Sequence, residues 1–218
     1  MKGPSYFSLN QLRVSKNFFS EDNIEWHTDF VSLKRQSFRK ARDLAFTKDV
    51  WQKVGLENEA QRKDEENLVR KILSRSDGDL PDKCWEIPTK STLSSGYGSP
   101  RTLPDGQQYY HTGTDLRAGE GAEVKASQDG EVVFAAPLIV TGNMVMIYHG
   151  SGVYSKYMHL SKIDVNVGDK VKKGQHIGEA GHTGRVTGPH LHWEIVWQGN
   201  PANPHHFLQA MAPTCDPK

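Results

Sequence analysis

Three short stretches of this 218-residue chain carry side chains able to bind a metal or move a proton: His111-Thr-Gly-Thr-Asp115, His159 and His190-Leu-His192. Histidine is the commonest metal ligand and the usual acid or base near neutral pH. The chain has ten, and nine of them lie between His111 and His206. In a strand, residues i and i+2 share a face with Cα atoms ~6.5–7 Å apart, so His190 and His192 reach one small site. One of the pair can ligate an ion while the other stands beside it.

His111 and Asp115 obey a different constraint. On an extended strand they would lie ~13 Å apart, too far for one ion. The intervening segment must curl, and Gly113 gives it the conformational freedom to do so. The loop then supplies one imidazole and one carboxylate, which with one imidazole of the second pair makes a His, Asp, His set. Three protein ligands leave a fourth position for water, the arrangement of catalytic rather than structural zinc. No Glu stands in a His-Glu-x-x-His arrangement, so the carboxylate base of that motif is absent.

These residues need a scaffold, and the chain changes texture ahead of them. Residues 1–83 hold 16 basic and 14 acidic residues but only three Gly, and read as a charged, partly helical region. Thr47 and Asp49 open a short helical pattern carrying Val50, Trp51 and Val54. A second helix is expected from about Asn58 to Arg75, stopped by Ser76-Asp77-Gly78, with Leu68, Val69, Ile72 and Leu73 as its apolar stripe. Such a stripe can dock on another surface but cannot form a core alone. The spacing predicts an appendage, with a lid over the active cleft as the sharper hypothesis.

Residues 84–218 are Gly-rich and alternate in short segments. Residues 123–126 lead through Asp129-Gly130 into 131–134 as a hairpin signal. Further strands are expected over 143–148, 153–159 (ending at His159), 171–177 and 191–197, with a turn at Ser151-Gly152. Strands every 8–12 residues without helical pattern between them predict a mainly β, antiparallel domain behind a short α-helical lead. Formal charge is +1, from 27 Lys and Arg against 26 Asp and Glu, so nothing points to nucleic acid or an anionic membrane. Apolar runs such as 132–138 fall far short of the ~20 residues of a transmembrane segment. Residues 1–7 lack the apolar core of a secretion leader, which leaves a cytosolic chain or a processed one.

In order along the chain come Gly96-Tyr-Gly98, His111-Thr-Gly-Thr-Asp115-Leu, Ala126-Ser-Gln-Asp-Gly130, Gly142-Asn143, Tyr157-Met-His159-Leu-Ser161, Gly168-Asp169 through Gly174-Gln175, and Gly181-His-Thr-Gly-Arg185-Val-Thr-Gly-Pro-His-Leu-His192-Trp-Glu194. Over residues 93–204 this series resembles the lysostaphin/LytM-type zinc metallopeptidases, the LAS group of peptidoglycan endopeptidases. The resemblance implies a LytM-like β-sheet domain with one Zn2+ per chain held by His111, Asp115 and His192. It implies His159 and His190 as the two catalytic imidazoles, without saying which is the general base. The substrate implied is the peptide stems of peptidoglycan, with the D-alanyl cross-link to a diamino acid favoured over a Gly-Gly bridge. The compartment implied is the periplasm or the cell wall outside the cell. Its rival is a catalytically silent LytM-like regulator that binds and activates a cell-wall amidase. The segment 167–177 is also similar to the strand-turn of lipoyl and biotinyl carriers, but no Lys-tipped hairpin follows.

Other positions have two readings each. Asn143 either lines the cleft or serves a turn. Tyr97, Tyr109 and Tyr110 sit on segments entering the site, where one could donate to the oxyanion. Glu194 is either a carboxylate orienting an imidazole or a solvated strand residue. His149, His176 and His182 read as structural or exposed, and His205-His206 as solvated. Cys84 and Cys215 are too few for a disulfide scaffold; they either bridge, clamping the C-terminal half, or stay as thiols.

Overall fold

The computed structural model describes residues 43–48, 50, 58–80 and 84–211. All fall in the second of two compact units, Phe38–Lys218. Asp49, Trp51, Val54 and Cys215 lie outside the described residues, and with them the first helical pattern and the Cys84–Cys215 pairing.

Helix α1 covers Glu59–Ile72. Twelve strands follow: β1 Leu93–Ser95, β2 Pro100–Thr102, β3 Gln108–Tyr110, β4 Thr114–Leu116, β5 Glu123–Lys125, β6 Gly130–Leu138, β7 Gly142–Tyr148, β8 Val153–Ile163, β9 Lys170–Val171, β10 His176–Ala180, β11 Leu191–Trp197 and β12 Asn200–Ala202. Helix α2, Pro204–Met211, comes last. Ten strands make one antiparallel sheet along β1-β4-β11-β8-β7-β6-β9, with β10 bridging β5 and β8, and β12 on β11. β2 and β3 form a separate hairpin.

Period-two alternation sorts side chains to the two faces of this sheet. Val145 and Ile147 of β7, Val153 and Tyr157 of β8, and Trp193 and Ile195 of β11 pack on one face with Leu160 and Leu191. Met144, Met146 and Tyr148, with Tyr154, Met158 and Val196, pack on the other. That second face takes α1, whose Val69 and Ile72, with Leu73 beyond, pack against it. Leu68, expected in the stripe, is 47% exposed instead. It sits one residue off the 3–4 spacing that joins Val69 to Ile72 and Leu73. The Tyr154 hydroxyl bonds the carbonyls of Ile72 (2.9 Å) and Arg75 (2.7 Å), and Tyr148 bonds that of Asp77, so sheet tyrosines cap the helix end.

Two expectations about the strands fail. β5 and β6 do not form a hairpin: β5 pairs β10, and β6 pairs β7 and β9. The chain bends at Asp129 without making a hairpin turn; the Asp129 carboxylate takes Lys172 Nζ (2.9 Å) and the Lys173 N–H (2.7 Å). Gly130 is needed because a Cβ would lie 2.5 Å from the Tyr148 carbonyl. The segment 171–177 is likewise not one strand. It breaks between β9 and β10, where Gly174 takes a φ of +76°.

Candidate metal centre and cleft

β4 and β11 are antiparallel neighbours in the register His192↔Asp115. Cross-strand partners have Cβ atoms ~4.5–5.5 Å apart, so these two side chains meet by pairing alone. His111 joins from the loop before β4. That loop passes so close to β11 that a Cβ on Gly113 would lie 2.5 Å from the Trp193 carbonyl and 2.7 Å from His192 Nε2. The glycine therefore serves close approach, and it is not among the positive-φ residues. The expectation of a curl was sound in outcome, but steric room is the operative reason.

His111 Nε2, Asp115 Oδ1 and His192 Nδ1 converge at 2.9, 3.0 and 2.8 Å from one another, in a buried cluster able to hold a metal ion. A tetrahedral ion with bonds of ~2.0–2.1 Å keeps its ligands ~3.3–3.4 Å apart, so the trio need spread only by a few tenths of an ångström. The second nitrogen of each imidazole is already committed. His111 Nδ1–H donates to the Gly96 carbonyl (2.9 Å), and His192 Nε2–H to Glu194 Oε1 (3.1 Å). Each ring thus turns its other nitrogen inward, the usual way ligand tautomers are held. Arg101 Nη2 binds the far oxygen of Asp115 at 2.5 Å, leaving Oδ1 for the cluster.

Glu194 is buried, which excludes the solvated reading. It also accepts from Lys156 Nζ (3.0 Å) and from the Thr112 hydroxyl. Burial opposes its charge, but Lys156 and the His192 hydrogen bond outweigh it and hold the carboxyl well below its usual range. For Asp115, burial is likewise overridden by the adjoining His111 and His192 imidazoles, which hold its carboxyl well below the usual range. Burial alone would lower His192; bracketed by Asp115 and Glu194 it is raised to about 9. The pocket therefore favours a cation.

His159 and His190 stand next to this cluster, with ring centroids 4.9 Å apart and His159 6.0 Å from His192. His159 lies within β8 and not at its end. Between the pairs Asn143↔Leu160 and Val145↔Tyr157, β8 spends two residues against the single Met144. This is a β-bulge, and His159 takes a φ of +64° in it. The bulge re-aims an imidazole that regular alternation would direct with Tyr157 into the core. His159 Nδ1–H donates to the Thr183 carbonyl (2.9 Å) and His190 Nδ1–H to that of Gly188 (2.9 Å), leaving both Nε2 atoms free of those bonds. His190 Nε2 is 3.6 Å from Asp115 Oδ1. Burial, reinforced by His190 and His192, pushes His159 well below its ordinary pKa, so it is a neutral acceptor.

The open side is a cleft of about 1430 Å3 whose far wall is α1. Of the tyrosines, Tyr109 lines it beneath Arg185, whose guanidinium is 5.5 Å from the ring centroid. Tyr110 is 46% exposed on the opposite side of β3. The Tyr97 hydroxyl donates to the Pro201 carbonyl (3.1 Å). Asn143 is not on the cleft wall; its amide donates to Leu160 O (3.0 Å) and ties β7 to β8. Arg101, Lys156 and Thr112 are the site residues that sequence reasoning missed. Only Lys156, two residues before Met158 on the face of β8 opposite Tyr157, carried a periodic signal.

Among the remaining histidines, His149 is buried between the Asp129 carbonyl and Ser155 Oγ, both at 2.7 Å. His176 and His182 pair at the surface with Asp164 (2.8 Å) and Glu120 (3.1 Å). His206 is exposed, but His205 is half-buried with its Nε2 enclosed, because α2 turns it inward.

Comparison with known proteins follows the same lines. Residues 109–204 match the profile of peptidase family M23. Over 120 residues the chain is 42% identical to the peptidoglycan DD-endopeptidase ShyA of Vibrio cholerae, covering 55% of this chain and 28% of that one. A crystal structure of an M23 peptidase from Pseudomonas aeruginosa superposes with a TM-score of 0.63 at 31% identity, over 71% of this chain and 64% of that one. The catalytic domain of the antimicrobial peptidase lysostaphin from Staphylococcus simulans is 36% identical over 55% of this chain and 92% of that one, with a TM-score of 0.49. The chain spans little more than a quarter of the length of its Vibrio relative.

Proposed function

The chain belongs to peptidase family M23 through residues 109–204, and from that premise we propose that it is a zinc-dependent endopeptidase hydrolysing peptide cross-links of bacterial peptidoglycan. The observation that carries this reading is the convergence of His111, Asp115 and His192 on one point, with His159 and His190 flanking it. The three converging groups would hold one zinc per chain. Bound there, zinc supplies Lewis acidity that polarises a scissile carbonyl and makes water more acidic. His159, neutral and with Nε2 unencumbered, takes the proton of the attacking water and returns it to the leaving amine. His190, anchored by Gly188 and facing Asp115 from the other side, is assigned to the carbonyl oxygen.

The cleft exceeds the ~300–1,000 Å3 of small-molecule pockets, as a polymer-borne peptide requires. The bond proposed is that of D-alanine to a diamino acid, in keeping with the name of the Vibrio relative. Residues 84–218 form the catalytic unit in this reading and residues 1–83 an appendage, of which α1 lines the cleft. No helix among the described residues is long and apolar enough to cross a membrane. The site of action proposed is the periplasm or the wall outside the cell.

The test is zinc content measured together with peptide release from purified peptidoglycan, for the wild type and His192→Ala. About one zinc per chain, and cleavage abolished in the variant, are expected, with mass analysis of the fragments naming the bond. Fragments cut between glycines would move the substrate to the glycine bridge. Folded wild-type protein that neither binds zinc nor cleaves would favour the amidase-activating regulator.

A further inference from the structure

Two part-buried guanidinium groups face the cleft without a carboxylate. Arg185 comes from the loop between β10 and β11, and Arg62 from the facing side of α1; both line the cavity that holds His159 and His192. Among the described residues neither forms an ion pair, and Arg62 Nε is enclosed with no hydrogen-bond partner. Of the acids nearby, Glu59 and Glu66 of α1 also line the cleft but form no ion pair with either arginine, and two others are engaged elsewhere. Glu65 accepts from the Ile139 N–H (2.9 Å) and from Gln61 (3.1 Å), and Asp105 from the Gln107 N–H (2.9 Å) within its own turn.

The placement of Arg185 is firm. Its N–H donates to the Val140 carbonyl at 2.8 Å. The adjoining Gly184 is pressed so tightly on the β6–β7 turn that a Cβ would lie 2.3 Å from the Gly142 nitrogen. Two residues earlier, Thr183 offers the carbonyl that orients His159. The same rigid loop therefore positions a catalytic imidazole and a cation. Burial lowers the pKa of Arg185 against the upward pull of the Tyr109 hydroxyl and Asp105, and the nearby charge of Arg62 lowers it further. Two like charges sharing a partly desolvated wall are a cost to the fold unless an anion sits between them. Paired guanidinium forks suit a carboxylate, which they bind bidentately.

We propose that Arg185 and Arg62 form a carboxylate-binding subsite of the cleft, which selects peptides bearing a free carboxylate close to the scissile amide. The inference rests on the endopeptidase reading for its substrate. A cross-link in which the acylated amine and a carboxylate share one carbon, as in a dicarboxylic diamino acid, satisfies the subsite. A lysine-type cross-link or a glycine bridge offers no carboxylate there.

The test compares two synthetic D-alanyl-diamino acid peptides that differ only in that group, free carboxylate against carboxamide. Binding to the full chain freed of metal by chelation is followed by NMR shift titration, so no turnover intervenes. The carboxylate peptide should bind about 10- to 100-fold more tightly, the range of a charge-assisted hydrogen-bonded pair. That ratio should fall to near one in Arg185→Gln, shrink in Arg62→Gln and survive in part in Arg185→Lys. Equal affinity of the two peptides for wild type, no measurable binding of either, or a ratio that persists in both Gln variants would overturn the subsite. Incubating the zinc-loaded wild type with the same peptides separates the two readings. Absence of cleavage there refutes the endopeptidase, while the binding ratio still decides the subsite.

Discussion

At the scale of single residues, the site works by commitment: each imidazole has one nitrogen tied to a carbonyl or carboxylate so that the other is presented. Glu194 is the clearest instance, because it holds His192 on one side and is itself held by Lys156 and Thr112. Replacing it by Gln keeps an acceptor for His192 Nε2–H but removes the charge and strands the Lys156 ammonium. Zinc affinity of Glu194→Gln, read by competition with a chromophoric chelator, should drop about 10- to 100-fold; unchanged affinity would reduce Glu194 to a packing role. The histidines and Asp115 were legible from type and spacing. Lys156, Thr112 and Arg101 were not, since each becomes a site residue only through a partner many positions away.

Elements explain how residues so far apart in the chain come together. The β4–β11 register delivers Asp115 to His192, and the β8 bulge turns His159 out of the core. Helix α1 rests on the sheet through the part-buried Val69, Ile72 and Leu73 and through the Tyr154 hydroxyl. Tyr154→Phe should cost about 1–2 kcal/mol, the loss of a hydroxyl that serves two helix-end carbonyls. Thermal unfolding would register it, and hydrogen exchange should quicken first in the last turn of α1. The helix and its stop signal were readable from periodicity. Its position as a wall of the cleft was not, because an apolar stripe says that a face is covered and not where.

Across the whole molecule, the sheet hides a second histidine constellation unrelated to the cleft. His149 bonds the Asp129 carbonyl and Ser155, Ser155 bonds the Tyr157 hydroxyl (2.9 Å), and that hydroxyl accepts from the Ser127 N–H (2.8 Å). Burial lowers the His149 pKa to about 4, against the upward pull of Asp129. The folded state therefore binds this proton less readily than the unfolded chain, whose imidazole titrates near 6.5. The stability it contributes is complete above pH ~6.5 and is lost as pH falls towards 4, about 3 kcal/mol in all. Urea unfolding between pH 7 and pH 4 should show that decline, and His149→Gln should flatten it. A slope unchanged in the variant would assign the decline to other groups.

What the sequence determined by itself is chemistry and period. Histidines and an aspartate at ligand spacings, alternation fit for strands, and one amphipathic helix are local properties, readable because side-chain type and backbone repeat are written residue by residue. Tertiary structure decided which strands pair, which face α1 covers, and which charges close on the ligands from behind. The failed hairpin at Asp129-Gly130 shows why. A turn-like dipeptide fits many backbone geometries, and it was the crowding against Tyr148 and the ammonium of Lys172 that selected the one adopted. Arg62 and Arg185, neither with a carboxylate partner, show the same division, since two cations more than a hundred residues apart come to line one cleft only when helix and loop face each other across it.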